Sequence, residues 1–321
     1  MSKWQVPPSG GHMDLATGIY FQNMTSKQIK ERLEKNDLII IPVGATENHG
    51  EHACTGEDTF LLTRLAEQVA QKTGCTVAQP IWYGSHPYNH LGMPNTVVVP
   101  EEDLAAYLRA VIAGFWNAGF RKQILINGHA QDYVIPMAIH GFGKRFQVPA
   151  VLVYLNWWFS IREHIRDKEH GGPFETKFVH ADECETSYSL ALFPELIDMK
   201  HAVDTKGEMY IKEGIVDKSG LAYGYPVRFY DHVGLTGMEV LCTPEGVVGK
   251  STLAEGQKAK KGVEAAMDFM EGLVNEILSK FPPGTLPPAD KMTQRSKEEI
   301  EAVIKGPLKG GKHIYTICYP T

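Results

Sequence analysis

The apolar run over residues 38–44 (LIIIPVG) has neither a polar break nor an alternation. That pattern predicts a strand buried on both faces, as in a parallel sheet. Upstream, Thr25 or Ser26 caps a predicted short helix that reaches about residue 35. Downstream, Leu61, Leu65 and Val69 recur every fourth residue and predict a helix over about 59–72. Short strands are expected over 75–80 and 96–99, with the irregular stretch WYGSHPYNHLGMPN between them. A helix over about 100–117 opens on Glu101, Glu102 and Asp103, which suit the positive helix end, and buries Leu104, Leu108, Val111, Ile112 and Phe115. A buried strand over 123–126, a helix over about 132–145 and a strand over 150–155 continue the alternation. Residues 204–242 read as loops and short strands. A long helix over about 253–280 carries Val263, Met267, Met270, Leu273, Val274, Ile277 and Leu278 on one face.

Strands alternating with helices imply right-handed crossovers. The expected fold is α/β, a three-layer αβα sandwich with a mostly parallel central sheet. Residues 1–281 form its domain, and 282–321 a Pro-rich linker, a short helix and a tail suited to wrapping a neighbour.

Composition narrows the function. The 321 residues are 43% hydrophobic and 22% charged, as in an ordinary globular protein. A net charge of −6 gives no global cationic field for nucleic acid or an anionic membrane. No apolar run approaches the roughly 20 residues of a membrane helix, and the first residues lack a secretory apolar core. The 5 cysteines are Cys54, Cys75, Cys184, Cys242 and Cys318, an odd number without a CxxC pair, so a reducing cytoplasm is expected.

Three polar clusters follow apolar runs. The first, ATENHGEHACTGEDT, sets Glu47, His49, His52, Glu57 and Asp58 just beyond the strand at 38–44, where open parallel sheets bind ligands. A solvated loop capping a helix is the alternative. The second, NGHAQD, puts His129 at another strand end. Together the two offer the carboxylate and imidazole donors of zinc or manganese. The third, HADECETS, brings His180, Glu183 and Glu185; an acidic first helical turn accounts for one of these carboxylates but not for the whole group.

These motifs resemble the creatininase family of amidohydrolases. PVGATENHGEHACTGEDT looks like its signature, a Glu-x-His pair after a Pro-x-Gly strand end with an Asp nine residues after the His. NGHAQD, HADECETS and HLGMPNTVVV are similar to three further family stretches, so the likeness runs from about residue 38 to 194. The resemblance implies two divalent ions per subunit, zinc or manganese, with iron also possible. Glu47 and His129 would hold one, His49 and Glu185 the other, with Asp58 and a hydroxide bridging. Charge balance agrees, because three carboxylates and one hydroxide neutralise two divalent ions. His180 is then the proton shuttle, and Glu183 a weaker candidate for orienting it. His90, Gln131, Trp157 and His232 are candidates for contact with substrate. A homo-oligomer, commonly a hexamer, is also implied.

Three departures bear on the substrate. Creatininase carries a Glu where this chain has Gln131, which is why the fifth ligand falls to Glu185. Asn95 replaces a glycine, and asparagine tolerates the same unusual backbone angles. The pocket tryptophan before the shuttle histidine is missing from PFETKFVH. Two chemistries are therefore expected at the same centre. One opens a small cyclic amide. The other cleaves a carbon–carbon bond of a cyclic polyol diketone, as in members of the family assigned to inositol catabolism. The competing classes are a metal-free cysteine hydrolase using Cys54 or Cys184, and a non-catalytic metal-binding scaffold.

Overall fold

The computed structural model describes residues 18–87, 90, 92–209, 240, 241 and 243–304. A four-stranded parallel sheet forms the centre, in the order β2 (Thr76–Val77), β1 (Leu38–Val43), β3 (Lys122–Asn127) and β4 (Val151–Asn156). All six residues of β1 are buried, as its unbroken apolar run demands, and all six of β3 are buried too, its apolar centre Ile124–Ile126 flanked by the buried polar residues Lys122, Gln123 and Asn127. Alternate side chains feed two cores. Leu38, Ile40, Ile124 and Ile126 face a layer made by α2 (Glu57–Thr73), α5 (Glu183–Leu192) and α6 (Gly256–Lys280). Ile39, Ile41, Val43 and Leu125 face α3 (Glu101–Ala118) and α4 (Val134–Phe146). The expected three-layer αβα sandwich is the observed architecture.

From β1 the chain crosses through α2 to β2 on one side, then returns through α3 to β3 on the other. That reversal opens a crevice between the carboxyl ends of β1 and β3. The register aligns Val43 with Asn127 and Asn127 with Asn156, so three strands end level. The loops leaving these strands therefore emerge at one edge.

Several elements differ from the sequence reading. The strand expected over 75–80 shrinks to Thr76–Val77. Residues 96–99 form no strand; the Val97 and Val99 amides donate singly to Thr46 and Gly84 carbonyls, and Val97 and Val98 are exposed on the outer side. The buried stripe of α6 is Ala259, Gly262, Ala266, Met270, Val274 and Ile277, because α5 and its Tyr188 approach too closely for large residues in the first turns. After α6 the chain returns to the sheet: Lys122 Nζ donates to Pro282 carbonyl (3.2 Å) and Gly284 amide to Asp37 Oδ2 (2.9 Å). A short helix, α7 (Lys297–Ile304), comes next. Among the described residues, no helix is long and apolar enough to cross a membrane.

Candidate metal centre

Beyond β1 the chain turns through residues 44–56, and Glu47 amide donates to Thr55 carbonyl (2.9 Å). The start of α2 then docks against the end of β3. Gly128 makes this possible, since a Cβ there would lie 2.6 Å from Asp58 carbonyl. This contact carries Asp58 into the crevice between Glu47 and His129.

Asp58 faces both ways. Its Oδ2 lies 3.1 Å from His129 Nδ1, which is also 3.0 Å from Glu47 Oε2. Its Oδ1 lies 3.6 Å from His49 Nε2. Around His49 Nε2 two further oxygens stand at similar range, Glu57 Oε2 at 3.5 Å and Glu185 Oε2 at 3.7 Å. These separations are long for hydrogen bonds. They match the edge, about 3.4 Å, of a tetrahedron of donors about 2.1 Å from a divalent cation. Glu47 Oε1 meets His90 Nδ1 closely, with His180 Nε2 at 3.8 Å and His86 Nδ1 at 3.9 Å. Three overlapping groups of donors result among the described residues, Glu47/His86/His90/His129, Glu47/His49/His180 and His49/Glu57/Asp58/Glu185, each able to hold a metal ion.

The histidines are pre-oriented by backbone carbonyls. His49 Nδ1 lies 3.2 Å from Glu47 carbonyl, His86 Nε2 3.2 Å from Val97 carbonyl and His180 Nε2 2.8 Å from Asn48 carbonyl. A carbonyl accepts only, so each of these nitrogens carries the proton and the other presents its lone pair. That is how metal-binding imidazoles are commonly fixed. Among the described residues, Glu47 Oε1 and Oε2, Glu57 Oε2, Asp58 Oδ2, His49 Nε2 and His86 Nδ1 are buried without an aligned hydrogen-bond partner. Such orphaned atoms are costly unless an ion satisfies them.

The electrostatics point the same way. Burial pushes Glu47 up, but His90, His180 and His129 outweigh it and hold the carboxyl well below its usual range. For Asp58, burial is likewise overcome by His129 and His49, to about 2. Burial raises Glu57 to about 7, with Asp58 and Glu47 reinforcing it against His49. Glu185 is pushed well up by burial and then by Glu57. Four carboxylates in one dry pocket demand cationic charge or protons, and the donor set fits divalent cations.

The other expected residues fall elsewhere. Gln131 is fully buried: its Oε1 accepts from Ser85 amide (3.0 Å) and its Nε2 donates to Gly44 carbonyl (3.1 Å), stapling the loop at 83–85 to the end of β1. Glu183 does not touch His180. It accepts from Glu175 amide (2.9 Å), from Thr176 amide and hydroxyl (2.9 Å each) and from Lys258 Nζ (2.8 Å), anchoring the loop before His180 to α6. Trp157 is a core residue packed on Trp158, Phe178 and Tyr188. His90 lies in the cage, and His232 is outside the described residues. Glu57, one of the polar residues expected beyond the first strand but absent from the ligand set that the family resemblance implies, is a cage residue.

Residues 22–274 match the family model described as creatininase, creatinine amidohydrolase. The chain is 60% identical over 305 residues to the 3-dehydro-scyllo-inosose hydrolase of Thermotoga maritima, covering 95% of this chain and 98% of that one. It is 26% identical over 212 residues to the creatinine amidohydrolase of Pseudomonas putida, covering 59% and 78% respectively. A crystal structure of creatinine amidohydrolase superposes with a TM-score of 0.65 at 22% identity, covering 83% of this chain and 99% of that one. The chain belongs to the creatininase family.

Proposed function

We propose that this chain is a metal-dependent hydrolase that cleaves a carbon–carbon bond of a cyclic polyol diketone of the 3-dehydro-scyllo-inosose type. The observation that carries the reading is the 60% identity, over almost the whole of both chains, to a hydrolase of that substrate. The cage supports it with donors suited to Zn²⁺ or Mn²⁺, and also Fe²⁺. Glu47, His129 and one Asp58 oxygen are assigned to the first ion, and His49, the other Asp58 oxygen and Glu185 to the second. Divalent cations held there supply a polarised water and positive charge opposite a developing oxyanion.

The side chains do the rest. Glu47, Asp58 and His49 fix the position of the reacting carbonyl and water. His180 moves the proton. Its Nε2–H is committed to Asn48 carbonyl, so Nδ1, 3.8 Å from Glu185 Oε2, is the nitrogen that accepts and returns it. Burial, with His49 and His90 adding, lowers its pKa to about 3, so the ring is neutral near pH 7. The hydroxyl of the water joins the carbonyl carbon. The adjacent carbon–carbon bond breaks, leaving its electrons on the neighbouring carbonyl as an enolate, and His180 delivers the water's proton to the carbon released. The product is a single open-chain keto acid, heavier than the substrate by one water, which ionises to the carboxylate by releasing a proton to solvent.

The metal-free cysteine alternative finds no support. Cys184 is fully buried and its thiol is pushed well up by burial and the surrounding acids. Burial raises Cys54 to about 11. Neither provides thiolate near neutral pH. Free thiols at Cys54, Cys75 and Cys184 are in keeping with a reducing cytoplasm.

The homo-oligomer is also part of this reading. A cavity of 680 Å³ lined by Phe21, Trp82, Tyr83, Tyr107 and Phe115 shares no residue with the cage, and Tyr83 and Tyr107 are more than half exposed. Light scattering of the purified protein tests the assembly.

The deciding assay gives the Zn²⁺- or Mn²⁺-loaded protein the polyol diketone and creatinine in parallel. Turnover of the diketone with the mass gain of one water is expected. Turnover of creatinine alone would move the reading to cyclic amides.

A further inference from the structure

We infer that Glu57 is a direct ligand of the second cation, beside His49, Asp58 and Glu185. This rests on the two-cation reading above and adds a donor to it. Glu57 is the first residue of α2 and is only 1% exposed. A carboxylate placed there merely for the helix dipole would accept from first-turn amides or face water. Glu57 does neither. Its Oε1 is held by the hydroxyl of Ser189, one turn along α5 from Glu185. Its Oε2 points into the cage, 3.5 Å from His49 Nε2, and both of those atoms are buried without a hydrogen-bond partner among the described residues. Asp58 Oδ1 and Glu185 Oε2 stand at 3.6 and 3.7 Å from the same nitrogen. Three oxygens fanned at one range around an imidazole lone pair are the donor arrangement of a single cation. By the same range criterion Glu57 ranks with Asp58 and Glu185.

The consequence is cation choice. Three carboxylate oxygens to one nitrogen make a hard donor set, which favours Mn²⁺ over Zn²⁺ compared with a set of two carboxylates. Glu57 therefore tunes which ion the second position accepts, while Ser189 aims it.

The test uses the full-length protein as wild type, E57Q and S189A, loaded with Mn²⁺ or Zn²⁺. Retained metal is counted after gel filtration, and affinity is read by chelator competition. Wild type should retain two ions. E57Q should keep one and bind the other more weakly by over about 100-fold, beyond the range of an outer partner, with a larger loss for Mn²⁺ than for Zn²⁺. S189A should show a smaller loss at the same position. If E57Q holds both ions with wild-type affinity, the inference on Glu57 falls and the two-cation reading stands. If wild type holds fewer than two, both fall. Should E57Q fail to fold, S189A decides, and unchanged affinity for the second ion overturns the inference.

Discussion

Asp58 Oδ2 lies 3.1 Å from His129 Nδ1, which ties the first turn of α2 to the carboxyl end of β3. The other Asp58 oxygen faces His49, 3.6 Å away. One side chain thus serves both halves of the cage, and its loss should be felt by both. Asp58→Asn keeps the shape and removes the charge. Metal content at both positions and turnover should fall together, by more than the roughly 10–100-fold typical of an outer partner. Elemental analysis alongside the turnover assay checks this; full metal content in D58N would remove Asp58 from the bridging position.

His180 should separate binding from chemistry. Its ring lies tilted beside those of His49 and His90, with centroids 4.6 and 5.2 Å away, yet its Nε2–H is turned to a backbone carbonyl. His180→Ala should therefore retain both ions and lose about 10²–10⁴-fold in turnover, the usual range for a general acid–base group. Equal loss of metal and turnover would make His180 a ligand rather than a proton carrier.

The residues legible in the chain and those that were not divide by sequence distance. Glu47, His49, Asp58 and His129 were legible because each comes after an apolar run, and a buried parallel strand delivers the next residues to one edge. Asn95 was legible as a stand-in for glycine, and it does adopt φ 63°. Gln131 and Glu183 were not. Gln131 is held by Gly44 and Ser85, 87 and 46 residues away, and Glu183 by Lys258, 75 residues away, as well as by the nearby Glu175 and Thr176, whose turn toward it no local pattern announces. The inward turn of Glu57 depends on Ser189, 132 residues along. On α6 the apolar pattern points to Met270, Val274 and Ile277, which are buried, but not to Ala259, Gly262 and Ala266, which continue the buried line toward its first turns.

Acid should destabilise the fold through His52. Thr186 hydroxyl is directed at Ala181 carbonyl (3.3 Å), so it accepts from His52 Nε2, 3.0 Å away. His52 Nδ1 is buried without a partner among the described residues. Burial is the largest cause that lowers the pKa from 6.5 to about 4. Between those values the unfolded chain binds a proton that the folded chain refuses, so stability falls as pH falls. The loss from pH 7 to 5 should be about 2 kcal/mol, as an order of magnitude. His180 shares the direction, so His52→Gln, which retains a donor for Thr186, should flatten only part of the slope. Urea midpoints at the two pH values measure it; an unchanged slope in H52Q would clear His52 of the effect.

The approach of α6 to α5 gives the clearest test of packing. A Cβ at Gly262 would lie 1.7 Å from the Tyr188 hydroxyl oxygen and 3.0 Å from His164 Cβ. Tyr188 has no room to retreat. It is buried, its ring sits 4.8 Å from Trp157, and its hydroxyl donates to His164 carbonyl at 3.1 Å. Alanine is intrinsically better than glycine inside a helix by about 1 kcal/mol, but overpacking of a filled core costs about 1–3 kcal/mol. The clash here is with an immobile ring, so Gly262→Ala should be net destabilising and lower the melting temperature. Adding Tyr188→Phe removes the nearest atom and should recover part of the loss, although the ring carbon at 2.7 Å still crowds the new methyl. A more stable G262A, or a double variant no better than the single one, would show that the two helices can part without cost.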